Sequence, residues 1–237
     1  MAHTTLTLFR YEDFSDKFWA LAQMGPPRLL LHNSTPGLRF GRLMGSGGGN
    51  GFSIKPNFGV FAWLGHWESR DDAARFFHNG GWYQDALAHS TETMTVHLHA
   101  TMTHGEWSGE KPFTADREAY DPNAPVAVIT RATINPFRLR DFWSHVPKTS
   151  ASLDEFSERL LSIGVGEWPV VMQATFSIWR TGKAMQEFAY RSRYHKEVVK
   201  LTRERGWHRE EMFTRFNILQ VDGSWEGFSQ STLLESV

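Results

Sequence analysis

The chain has 237 residues, with 25 Lys+Arg against 26 Asp+Glu, 41% hydrophobic residues, 11 His and no Cys. Such a length allows one large domain or two small ones, and a near-neutral balance without a run of like charge gives no field for gathering nucleic acid or an acidic surface. The lack of Cys excludes disulfides, thiolate nucleophiles, Fe–S clusters, thiolate-bound haem and covalent c-type haem, which leaves His, carboxylate and other oxygen ligands for any metal.

The opening stretch MAHTTLTLFRYEDF has no basic region followed by an apolar one, and no window approaches 18 apolar residues. The expectation is a soluble, cytoplasmic protein, peripheral at most to the inner face of a membrane through transient contact of exposed aromatics. In chain order, strands are predicted near 4–10, 38–45, 58–67 and 93–102, with helices near 14–24 and 70–89. The polar stretch EKPFTADREAYDPNAP carries three Pro and no periodicity and reads as a linker. Beyond it strands are predicted near 126–134, 160–166, 170–179 and 212–220, with helices near 137–145 and 182–205.

The two halves repeat. An Arg sits late in the first strand of each (Arg10, Arg131), followed by Phe-Trp (Phe18-Trp19, Phe142-Trp143) and Gly-x-Gly (Gly45/Gly47, Gly164/Gly166). A strand then ends in Trp (Trp67, Trp179), a helix carries Phe nine residues later (Phe76, Phe188), and each half closes on Gly-x-Trp-x-Gly (Gly105–Gly109, Gly223–Gly227). Strand, helix, strand, strand, helix, strand is the ferredoxin-like order. The fold class is therefore α+β: two tandem ferredoxin-like repeats, at 1–109 and 125–237 around a linker at 110–124, forming an intrachain α+β barrel that hides its strand edges.

The long helix of the second half has its apolar stripe on Met185, Phe188, Ser192, His195, Val199 and Thr202. His195 therefore lies on the face that packs on the sheet, where the first half has Tyr83. An imidazole there is either a candidate axial ligand for haem iron or a core His bonded to a carbonyl. The strand before the helix alternates Gln173, Thr175 and Ser177 against apolar residues, so it either turns a polar face to water or lines a pocket opposite His195. Arg131 is either a rim charge or a cation aimed at bound oxygen or a propionate. The glycine-rich GRLMGSGGGNGF lacks the features of a P-loop or dinucleotide fingerprint and reads as a loop or lid. His97 and His99 share one strand face and read as a surface pair before a chelate. Neither HExxH nor GxSxG occurs.

With these residues laid out, the sequence resembles the spheroidene monooxygenase family of carotenoid biosynthesis. The resemblance is carried by RLMGSGGGNGF (42–52), HGEWSG (104–109), AVITRATI (127–134), SIGVGEWP with QATFSIW (162–179), FAY with the following His (188–195) and GWHREEMFTRF (206–216). It implies a haem-dependent monooxygenase or peroxygenase that hydroxylates C-2 of an acyclic carotenoid and oxidises it on to a ketone. It implies haem b with His195 as the iron's axial ligand, packed by Met185, Phe188 and Val199, and with Arg131, Gln173, Thr175 and Ser177 on the catalytic side. The oxidant is O2 with an external electron donor, such as a ferredoxin-type protein, or peroxide. The partners expected are a small hydrophobic, carotenoid-like substrate and no nucleic acid, with the chain a monomer or homodimer. The same residues are also compatible with an aldoxime dehydratase-like lyase, a peroxidase, a cofactor-free monooxygenase and a non-enzymatic haem- or carotenoid-binding barrel.

Overall fold

The computed structural model describes residues 2–25, 31, 33–48, 53, 55–145, 157–168, 170–191 and 200–235. Two residues of the expected site, His195 and Val199, lie outside the described residues. The first half contains β1 (His3–Arg10), α1 (Phe14–Gln23), β2 (Leu38–Gly47), β3 (Pro56–Trp67), α2 (Arg70–Asn79), α3 (Gly81–His89) and β4 (Glu92–Gly105). The second contains β5 (Val126–Ile134), a 3-10 turn at Pro136–Arg138 that continues as helix over 139–145, β6 (Arg159–Trp168), β7 (Met172–Trp179), α4 (Gly182–Arg191), β8 (His208–Trp225), β9 (Phe228–Ser229) and α5 (Gln230–Leu234). The continuous helix expected over 70–89 is two helices. Ser69 caps the first by accepting from the Asp72 amide at 3.1 Å, and Gly80, in an extended conformation, ends it and starts the second.

The sheet order is β4-β1-β3-β2-β6-β7-β5-β8-β9, and β4 also pairs with β8, so eight antiparallel strands close into a barrel. Each half contributes four strands in ferredoxin-like order, joined at two very different seams. β4 and β8 pair over eleven positions, from Met94↔Gly223 to Gly105↔Met212, whereas β2 and β6 meet only at Gly45↔Gly166 and Ser46↔Val165. Alternation along the strands puts Leu6, Leu8, Ala62, Leu64, Val96, Ile129, Phe176 and Phe216 into the barrel interior. The segment after β4 contributes Phe113 to that interior, edge-on to Phe40 and Phe216.

The closing motifs form matched two-residue hairpins. Ser108-Gly109 and Glu226-Gly227 all have positive φ, between Trp107↔Glu110 and Trp225↔Phe228, as a tight primed turn requires. Gly105 and Gly223 also have positive φ, and a Cβ at either would run into a backbone carbonyl across the β4–β8 seam, that of Glu211 or of Thr93. Two of the sequence landmarks shift by two residues in register. His3↔Trp67 matches Val126↔Trp179, so Arg131 stands at the position of Leu8 and not of Arg10. Leu43↔Trp63 matches Gly164↔Thr175, so Gly166, not Gly164, is the counterpart of Gly45.

Candidate functional site

The helix-facing side of the sheet differs sharply between the halves. In the first half it is solid: Phe9, Leu43, Phe61 and Trp63 are all buried under α1, α2 and α3, together with Phe76 and Tyr83. Tyr83, the counterpart of His195 by spacing from the preceding Trp, packs edge-on to Phe9 at 6.0 Å and to Phe77 at 4.8 Å. In the second half the registers put Ala132 where Phe9 stands, Gly164 for Leu43, Gln173 for Phe61 and Thr175 for Trp63. Four bulky apolar side chains are thus replaced by small or polar ones on one face of β5, β6 and β7. The hydroxyl of Ser162, opposite Ser177 on this face, is buried with no hydrogen-bond partner. In close-packed interiors a large loss of side-chain volume leaves space unless another group fills it.

One end of this face is filled by helix α4. Met185 and Phe188, 7% and 6% exposed, pack against Val126, Val128 and Trp179, with the Phe188 ring 5.1 Å from that of Trp179. The same contact occurs in the first half between Phe76 and Trp67 at 4.9 Å. Ser177 is buried and its oxygen accepts from the Trp179 indole at 2.9 Å, which leaves its own proton free to donate. Gln173 and Thr175 lie further along the same face and are partly exposed.

The structure does not bring Arg131 together with Gln173, Thr175 and Ser177. Arg131 pairs with Ala174 across β5 and β7, and the period-two alternation puts both on the barrel-interior face, opposite the other three. There Arg131, 1% exposed, is ion-paired with Glu210, lies 3.8 Å from Glu167 and has its guanidinium carbon 5.7 Å from the Trp107 ring. Its Nε has no partner. Burial on its own would raise the Glu210 carboxyl, but the Ser108 and Gly109 amides, at 2.8 and 2.7 Å, and the Arg131 cation outweigh it and hold the carboxyl below its ordinary value. Glu167 accepts from the Trp107 indole at 2.7 Å and pairs with Arg42 at 3.0 Å across the short seam. The first half repeats the device in a more exposed form: Arg10 pairs with Glu92 at 2.8 Å and Glu226 at 2.7 Å and stacks 4.5 Å over Trp225. Glu167 and Glu210 were not legible as partners of Arg131, because pairing between distant strands leaves no local sequence signal.

His97 is buried, not a surface residue, in a row with His3 at 2.8 Å and Asp222 at 2.9 Å, and His99 faces Asp116 at 3.3 Å. Among the described residues no three His, Asp or Glu gather as a metal site. Of the glycine-rich stretch, read as a loop or lid, 41–47 is strand, because it pairs with β3 and β6 as part of β2, and 49–52 lie outside the described residues; Gly45, Ser46 and Gly47 line a cleft of about 430 Å³ beside the β2–β6 seam, together with Phe58, Phe61, Trp168 and Gln173. No described helix is long and apolar enough to cross a membrane.

No family model matches the chain. It is 37% identical over 228 residues to a spheroidene monooxygenase of Rhodobacter capsulatus, covering 96% of this chain and 94% of that protein. It is equally similar, at 37%, to a spheroidene monooxygenase of Cereibacter sphaeroides, covering 96% of this chain and 70% of that one. A third, from Rubrivivax gelatinosus, is 30% identical over 81% of this chain and 73% of that protein. Among solved structures, an aldoxime dehydratase superposes with a TM-score of 0.61 at 12% identity, over 92% of this chain and 81% of that one. An aldoxime dehydratase in complex with butyraldoxime gives 0.60 at 11% identity, over 92% and 79%. At such identities the structural likeness is one of fold, whereas the sequence relatives agree with this chain over nearly its whole length. The chain belongs to the spheroidene monooxygenase family.

Proposed function

We propose that this monooxygenase is haem-dependent and oxidises an unactivated C–H bond near the end of a long acyclic carotenoid, by hydroxylation at C-2 and further oxidation to a ketone. The observation that carries the cofactor is the loss of side-chain bulk on the helix-facing side of the second half, where Ala132, Gly164, Gln173 and Thr175 replace Phe9, Leu43, Phe61 and Trp63. A flat, largely apolar macrocycle would lie against that face under the following helix, where the orphaned Ser162 hydroxyl would offer it a polar contact. A chain without Cys leaves imidazole as the strong iron donor, and His195, which falls at helical spacing from Met185 and Phe188 in the sequence, is the residue proposed to hold it. When bound, haem supplies the activation of O2, with two electrons from an external donor such as a ferredoxin-type protein, or of peroxide.

The protein's part is placement and exclusion of water. Gln173 and Thr175 offer hydrogen-bond donors on the sheet side, and the Ser177 hydroxyl, fixed by the Trp179 indole, offers a third at the deeper end. Met185 and Phe188 seal that end against water, with Val199 proposed to extend the seal. Arg131 is assigned to the barrel interior and not to the catalytic side, because it stands on the opposite face. Each hydroxylation takes one C–H bond, one O2, two electrons and two protons to a C–OH and one water. The test is an absorption spectrum of protein purified with haem available, ferric, dithionite-reduced and with CO. A Soret band with a ferrous-CO shift typical of His ligation is expected, and it should be lost or displaced in His195→Ala. A wild-type spectrum in that variant refutes the ligand assignment, and no haem uptake refutes the cofactor.

A further inference from the structure

β2 and β6 meet over two residue pairs, and outside this short seam the barrel wall opens into the cleft of about 430 Å³. Its walls are mostly hydrocarbon: Leu21 and Met24 at the end of α1, Pro56, Phe58 and Phe61 on β3, and Trp168 at the end of β6. Most of the polar side chains among its lining make at least one hydrogen bond within the protein. Ser46 donates to the Gly164 carbonyl at 2.9 Å, Asn57 accepts from the Gly59 amide at 2.9 Å, and Ser53 accepts from the Lys55 amide at 3.1 Å. Glu167 is held by Trp107 and Arg42. Only Gln173, where the cleft meets the helix-facing side of the second half, makes no hydrogen bond among the described residues. Hydrocarbon dominates the lining and the few polar groups are scattered along it, so the cleft matches a largely apolar ligand better than a polar one.

The shape narrows the ligand further. Pockets of about 300–1,000 Å³ enclose drug-sized ligands, so this cleft seats one end of a long chain and not the whole of it. Phe58 and Trp168, 48% and 59% exposed, flank it and offer aromatic surface along which a rigid conjugated chain can continue. Part of the lining is bare because glycines meet across the seam. A Cβ at Gly45 would contact only the Phe61 ring, at 3.9 Å, so side chains added there have room to enter the cleft.

We infer that the seam cleft is the binding site for one end of a linear polyene, which passes between Phe58 and Trp168 and ends beside Gln173. The polyene nature of the ligand and its direction of entry rest on the proposed function; the affinity of the cleft for a long apolar chain does not. The test uses the full chain, with and without added haem, titrated with spheroidene in non-ionic detergent and followed by quenching of tryptophan fluorescence. Saturable quenching is expected in both preparations, and Gly45→Leu should weaken it by about tenfold or more, since the added side chain takes up space otherwise filled by ligand carbons. If Gly45→Leu does not fold, as judged by its thermal transition, Phe58→Ala removes an exposed flanking ring and should likewise weaken the binding. Wild-type affinity in a folded Gly45→Leu protein, or unsaturable quenching of the wild type, overturns the inference. Saturable, Gly45-sensitive binding without haem uptake would keep the cleft and refute the cofactor, and haem uptake with Gly45-insensitive binding would do the reverse.

Discussion

Glu210→Gln separates a buried ion pair from its exposed counterpart within one molecule. Arg131 is 1% exposed and depends on Glu210 for its direct carboxylate contact, with Glu167 more distant at 3.8 Å. Removing one partner of a buried pair typically costs about 3–5 kcal/mol. Because Glu210 retains 23% of its side-chain surface and the one carbonyl oxygen of a Gln can still accept from one of the two amides, Ser108 or Gly109, about 2–3 kcal/mol is expected here. For a chain of this size that is a fall in thermal midpoint of about 4–12 °C. In the first half, Arg10 and Glu92 are each about a quarter exposed and Arg10 keeps Glu226, so Glu92→Gln should cost under about 1 kcal/mol, or a few degrees. The assay is circular dichroism of both variants, by temperature and by urea, with unchanged denaturant slopes as the check that the unfolded state is comparable. Equal losses in the two variants would refute the argument that burial of Arg131 sets the difference. The Glu210 pair also has a pH signature. A carboxyl held below its unfolded value of about 4.5 contributes stability that is complete above that pH and is lost as pH falls through the lower folded value, and Glu210→Gln should remove this contribution.

The helix-facing side of the second half and the barrel interior give further tests. Thr175→Trp restores the residue that the first half carries at Trp63 and should reduce haem uptake by at least about tenfold, while the cofactor-free protein melts no lower than wild type, because a buried indole adds apolar contact; normal haem uptake would refute the placement of the cofactor. His66, 5% exposed and bonded to Thr4 at 2.8 Å, is pushed down from 6.5 to about 4 by burial, with the Arg39 cation adding to it. It is neutral in the folded chain and protonated in the unfolded one between those values, so its contribution is present above about pH 6.5 and is lost as pH falls towards 4. His66→Gln should flatten that limb of the stability curve by up to about 3 kcal/mol, and an unchanged limb in chemical denaturation from pH 7 to 4 would refute it.

Much of the architecture is written locally. Alternation fixes which residues of β1, β5 and β7 share a face, the Gly-x-Trp-x-Gly motifs place two hairpins, and the recurrence of Trp67 with Phe76 and Trp179 with Phe188 marks equivalent helix-on-sheet contacts, all from spacings within a few residues. The candidate site was legible only in part for the same reason. Period two separates the faces of a strand but does not say which face meets the helix, and that is set by packing of the whole sheet. Cross-strand register likewise shifted Arg131 to the position of Leu8 and put it opposite Gln173 and Thr175. The same registers reveal the exchange of Phe9, Leu43, Phe61 and Trp63 for small or polar residues, which landmark spacing alone misaligns by two on β5 and β6. The unequal seams, the cleft beside the shorter one and the Arg131–Glu210–Glu167 cluster depend on hydrogen bonds and ion pairs between segments far apart in the chain. Only closure of the barrel brings those segments within reach of one another.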